Sequence, residues 1–101
     1  MYEDLKAPFI LVKFGFSNFL IILQGKDGVI YADNTFSTKI LRKDKLSKEI
    51  FVEMFDKALE SALENNILNV NVYISGESHN EIFIPEELEK KKIKATFLIN
   101  I

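Results

Sequence analysis

The stretch Lys45–Gly76, KLSKEIFVEMFDKALESALENNILNVNVYISG, decides the fold. In its first part Ile50, Phe51, Met54, Phe55, Ala58, Leu59, Ala62 and Leu63 recur three and four residues apart, the spacing of one apolar stripe along a helix expected to run to about Asn65. At Asn65 and Asn66 the rhythm breaks. Ile67, Leu68, Val70, Val72 and Ile74 follow at a spacing close to two, rich in β-branched side chains, and the run ends at Gly76. An amphipathic helix feeding a strand needs a sheet to cover, so further strands are expected before and after it.

Upstream, residues 9–16, FILVKFGF, are almost wholly apolar with Lys13 the only charge, which predicts a central strand covered on both faces and weakened near its end by Gly15. Ser17-Asn18 predicts a tight turn, since Asn accepts the positive φ a two-residue hairpin needs. FLIILQ, Phe19 to Gln24, is a second strand, Gly25-Lys26-Asp27-Gly28 a second turn, and Val29 to Ala32 opens a third strand. These three form an antiparallel meander.

Downstream of Gly76, GESHNEIFI has no clear local pattern. Pro85, Glu86 and Glu87 predict the first turn of a short helix, closed by Lys90 to Lys92 at the pole where cations are favourable. IKATFLINI, Ile93 to Ile101, predicts a last strand. The order is βββαβαβ, and a right-handed crossover makes the fourth strand parallel to the first. It resembles the ribonuclease H-like architecture, a three-layer α/β fold built on a mixed five-stranded sheet.

At 101 residues the chain is read as one domain, residues 1–8 being an N-terminal extension, and with 12% aromatic residues its core can be filled by large side chains. It has no Cys, which excludes disulfides and thiolate metal sites. A net charge of −2 argues against binding nucleic acid by bulk electrostatics, so any such contact has to be local. No apolar run approaches the roughly 20 residues of a spanning helix. The opening MYEDLKAP carries Glu3 and Asp4 and resembles neither an Arg-rich transit peptide nor a secretory signal, so a cytosolic, organelle-made or already processed chain is expected.

Two-metal nucleases of the ribonuclease H-like architecture need a carboxylate on the first strand, because Mg²⁺ takes hard oxygen ligands. Residues 9–16 contain none, and Asp27 and Asp33 read as turn and strand-end acids. His79 stands alone in a polar segment, Ser17, Ser47 and Ser75 lack a nucleophile-elbow pattern, and Gly25 and Gly28 belong to a hairpin rather than a phosphate loop. The chain is therefore expected to be no enzyme, with no cofactor, no metal, no small-molecule substrate and no membrane partner.

The strongest remaining signal is KILRKDKLSK, where Lys39, Arg42, Lys43, Lys45 and Lys48 face Asp44 alone, a local charge of +4 that leaves −6 on the rest of the chain. A solvated surface loop accounts for such a run, and phosphate contact is the functional alternative, since Lys and Arg are the residues for it. Ser47 is a candidate cap for the long helix, whose N-terminus suits anions. Phe36 reads as core, with stacking on a base as its functional alternative.

These residues resemble the universal small-subunit ribosomal protein family eleven, in bacterial counting. The likeness begins at Phe16-Ser17-Asn18, similar to the family's aromatic-Asn-Asn turn, continues through KDGVI at Lys26 to Ile30, and runs without a gap from Lys45 to Gly76. It implies a non-catalytic ribonuclease H-like fold that binds small-subunit rRNA and neighbouring platform proteins. Asn18 would sit in an RNA-facing turn, and Lys39, Arg42, Lys43, Lys45 and Lys48 would form the basic loop before the helix. Two family elements differ: the glycine-proline repeat with its Arg is replaced by Glu77 to Glu81, and the basic C-terminal tail has no counterpart before Ile101. An acidic, shortened member suits an organellar, mitochondrial ribosome, with cytoplasmic or plastid ribosomes as alternatives. The alternatives in function are a stand-alone protein-interaction module of the same fold and the sibling large-subunit ribosomal family eighteen.

Overall fold

FILVKF forms strand β1 (Phe9–Phe14), and the rest of the sheet is arranged about it. The computed structural model describes residues 4–15, 18–37, 44–76 and 79–98. After β1 come β2 (Asn18–Gln24), β3 (Ile30–Ser37), helix α1 (Asp44–Glu64), β4 (Asn69–Ser75), helix α2 (Phe83–Lys90) and β5 (Lys94–Leu98). A short 3₁₀ turn at His79–Ile82, within the stretch that had no clear pattern, leads into α2. The strand order is β3-β2-β1-β4-β5. β2 is antiparallel to both its neighbours, and β4 is parallel to β1 and to β5. The chain is thus α/β on a mixed five-stranded sheet, with β1 central as its apolar run predicts.

Alternation divides β1 between two cores. Ile10 and Val12 face the helices, joining Phe19, Ile21 and Leu23 of β2, Val70 and Val72 of β4, and Phe51, Phe55, Ala58, Leu59 and Ala62 of α1. Phe9 and Leu11 face the other way, with Ile22 and Tyr73. Burying each Phe or Leu is worth roughly 1.5–3 kcal/mol, which is why this apolar stripe sets the pose of α1. Leu63, the last residue of the stripe, is exposed.

Both helices lie against the same face, so among the described residues the layering is helices on sheet, not the three layers expected. The topology explains it. From β3 to β4 and from β4 to β5 the chain steps toward the same edge of the sheet, and right-handed crossovers that step the same way put their helices on one face. Residues 4–8, expected as an extension, cover part of the opposite face instead. Leu5 and Ala7 pack on its apolar cluster, the Lys6 amide donates to the Tyr73 hydroxyl (2.9 Å), and the Asn71 side-chain amide donates to the Lys6 carbonyl (2.9 Å).

Each helix ends in the same motif. Asn66 takes a left-handed φ of 57° after α1, with Ile67 N–H donating to Ala62 O and Asn66 N–H to Leu63 O. Lys92 takes φ 57° after α2, with Ile93 N–H donating to Leu88 O and Lys92 N–H to Glu89 O. The Asn-Asn turn is therefore a helix cap. Its geometry moves the start of β4 to Asn69, so Ile67 packs under the cap and Leu68 is exposed rather than in the strand. Pro85 sits in the first turn of α2, where no backbone N–H is needed, as its position predicts. The Lys91 ammonium bridges to α1, 3.0 Å from Asp56 and 3.6 Å from Glu60.

Candidate nucleic-acid interface

β1, β3 and β4 run in one direction, so their carboxyl ends share one end of the sheet. The start of α1 comes to that end. Phe51, near the beginning of the helix, packs its ring 5.5 Å from Phe14 at the end of β1 and 5.5 Å from Phe19 at the start of β2. Ser61, near the helix end, donates its hydroxyl to the Tyr31 carbonyl at the start of β3. The helix therefore runs antiparallel to these strands, and its positive pole stands at their carboxyl ends.

Of the candidate contact residues, Lys39, Arg42 and Lys43 lie outside the described residues. Lys45 and Lys48 belong to the first turns of α1, not to a loop, because the helix begins at Asp44, three residues before the cap expected at Ser47. The Lys48 side chain is exposed, its ammonium 4.7 Å from the centre of the Phe83 ring of α2. Asn18, expected in an RNA-facing turn, is exposed and lies in β2, not in the turn. It pairs with Ser37, and its carbonyl accepts from Gly15 N–H at 2.7 Å, which closes the hairpin one residue earlier than Ser17-Asn18 would. Phe36 lies in β3 opposite Phe19, since β3 continues to Ser37 well past the part legible at Val29 to Ala32. Val29 itself is exposed and outside the strand.

The fold thus brings Asn18, the end of β3 and the Lys-bearing start of α1 to one end of the sheet. Two further residues belong there. Lys13 is exposed beside Leu20 and Ser75, and its signal was visible as the lone charge in an apolar run. Gly76, with φ 82°, turns the chain out of β4 so close to β1 that a Cβ would overlap the Phe14 carbonyl oxygen. The pairing of Lys48 with Phe83 has no local signal, because the two are far apart in the chain.

At the amino ends of β4 and β5 a broad groove of about 1000 Å³ is lined by Lys26, Tyr31, Asn69, Asn71 and Lys94 among others. Asp27 on its rim accepts from the Tyr31 hydroxyl (2.7 Å) and from Val29 N–H (3.1 Å). Those bonds, the phenol first, hold the carboxyl below its usual range, while the same carboxylate pushes the Tyr31 phenol up. Asp27 is thereby committed to its turn. Asp33 lies on β3 opposite Ile22 and is exposed, and His79 is exposed in the 3₁₀ turn. Among the described residues no three His, Cys, Asp or Glu side chains are grouped to hold a metal ion, and no helix is long and apolar enough to cross a membrane. No protein-family model matches this chain, and no curated protein matches it.

Proposed function

We propose that this chain is a non-catalytic structural protein of the small ribosomal subunit that binds its rRNA through the carboxyl end of the sheet, on a scaffold whose strand order is ribonuclease H-like. One observation carries the reading: the strand order β3-β2-β1-β4-β5 with β2 alone reversed brings the start of α1, which carries Lys45 and Lys48, to the end where Asn18 and Lys13 are exposed. A polyanion there meets the helix's positive pole and local cations on a chain that is acidic elsewhere. The gapless likeness of Lys45–Gly76 to ribosomal family eleven supports the same reading. The strand carrying Lys13 offers no carboxylate for two-metal chemistry, in keeping with a binding role. Neighbouring platform proteins are its protein partners, and the mitochondrial ribosome is the proposed setting.

The test is affinity capture of the tagged chain from cells. Small-subunit rRNA is expected to come with it, and the double substitution Arg42→Glu, Lys43→Glu is expected to abolish incorporation into the small subunit in a gradient profile. Normal incorporation of that variant would reject the RNA interface. The second reading, a stand-alone protein-interaction module, is favoured by the exposed apolar side chains of Ile82 and Phe97, and predicts capture of protein without RNA.

A further inference from the structure

The two edges of the sheet are built differently. At the β3 edge the pairing with β2 shifts register at Leu23/Gln24, and Asp33 stands exposed in mid-strand, both of which discourage another strand from adding. β5 has neither a bulge, a proline nor a mid-strand charge; its one cation, Lys94, is at its first residue. Lys94 N–H donates inward to the Leu68 carbonyl, at 2.9 Å. Successive residues of a strand point their backbone groups to opposite sides, so the N–H and C=O groups of Ala95 and Phe97 face outward at the edge.

Beside that edge lies an apolar groove of about 430 Å³, floored by Val72, Ile74 and Phe97 and walled by Ile82 and Pro85. Ile82 is 63% exposed and Phe97 44%, high values for large apolar side chains that adjoin one another. The rim is acidic. Glu81 lines the groove, and Glu86, next to the lining residue Pro85, is exposed.

We propose that β5 and this groove are a docking edge for an extended segment of a partner protein, with apolar residues at alternate positions and Lys or Arg between them, that adds to the sheet as a further strand. The outward backbone groups supply the ladder, the groove takes every second side chain, and the acidic rim selects a basic partner. A second copy of this chain fits poorly, because it would bring its own Glu81 and Glu86 to the same edge. The proposal extends the reading above and rests on it only for the idea that the chain works within an assembly.

The test uses the whole chain, labelled with ¹⁵N, and a seven-residue peptide alternating lysine and valine. The expected result is chemical-shift change and slowed hydrogen exchange at Ala95 and Phe97, with binding at least about tenfold tighter than that of a peptide alternating glutamate and valine. Ala95→Pro removes one outward donor without touching the ladder to β4, and is expected to weaken binding about tenfold or more with little change in the melting temperature. Ile82→Lys, at an exposed position, is expected to do the same by placing a cation in the groove, and carries the test if Ala95→Pro does not fold. The proposal is overturned if the glutamate peptide binds equally well, if the shifts fall away from β5, if Ile82→Lys binds as the unaltered chain does, or if the free chain dimerises through β5. The Arg42→Glu, Lys43→Glu variant, expected to lose rRNA, should bind the peptide normally, which separates failure of this proposal from failure of the RNA reading.

Discussion

The ammonium nitrogen of Lys48 lies 4.7 Å from the centre of the Phe83 ring, joining the start of α1 to the start of α2. An exposed cation held on a ring gains about 0.5–1 kcal/mol, so Lys48 has a structural use besides any contact with phosphate. Lys48→Met keeps most of the stem and removes the charge. It should lower stability by about that amount in chemical denaturation, and Phe83→Leu should lower it further by removing ring packing.

The cations at this end can be sorted by salt. If Arg42 and Lys43 each neutralise a phosphate, removing either lowers the slope of log affinity against log salt by about 0.7–0.9. Replacing either by Ala should show that decrement in rRNA-fragment binding measured over a salt series. An unchanged slope for both variants would mean that neither residue touches the backbone.

Gly76 and Gly28 have the same φ of 82° but different surroundings. A Cβ at Gly28 meets nothing within 4 Å, whereas at Gly76 it would overlap the carbonyl oxygen of Phe14. Gly28→Ala should therefore cost only the backbone penalty, roughly 1–2 kcal/mol. Gly76→Ala adds to that penalty a displacement of β4 from β1, and should cost clearly more in urea denaturation. Equal losses would show that the approach of Gly76 to β1 is easily relieved.

Lys92 holds a left-handed conformation that side chains disfavour. Lys92→Gly should raise stability by about 1 kcal/mol, or roughly 4–8 °C in melting temperature. Asn tolerates this conformation better, so Asn66→Gly at the other cap should gain less.

The Asp27–Tyr31 pair makes stability depend on pH at both extremes. The carboxyl of Asp27 is lowered from 3.8, first by the Tyr31 hydroxyl and then by Val29 N–H, so its contribution is present above 3.8 and is lost as pH falls through the lower folded value. The Tyr31 phenol is raised from 10.0 by the same bond, so its contribution is full below 10.0 and is lost as pH rises through the higher folded value. Melting curves of Asp27→Asn should differ from those of the unaltered chain at neutral pH and converge with them in strong acid. Tyr31→Phe tests the alkaline side, where its curves should converge with the unaltered chain's.

Most of the fold was legible because it rests on local burial. Three-and-four spacing from Ile50 to Ala62 and the apolar run at β1 each report which side of an element meets the core, and those elements lie where the patterns place them. What local pattern does not carry is the choice between faces. That choice comes from the direction in which successive crossovers step across the sheet, and among the described residues it puts both helices on one face in place of the expected third layer. End points were the other weakness. Ser47 is a good capping residue, yet the helix starts at Asp44, and Asn18 accepts positive φ, yet the hairpin closes with Asn18 already in β2. For the interface, the concentration of positive charge was legible by counting. The cation-π contact of Lys48 depends on where distant segments meet.

The bonds of residues 4–8 to β4 also bear on how the molecule is made. Lys6 donates to a hydroxyl 67 positions later and accepts from an amide 65 positions later, while β1 and β2 pair across a short hairpin. During synthesis from the N-terminus the meander can pair as soon as it emerges. The opposite margin of β1 must wait for Asn71 and Tyr73, and until then Phe9 and Leu11 lack the cover of Tyr73 and Leu98, an interval in which a chaperone could engage them.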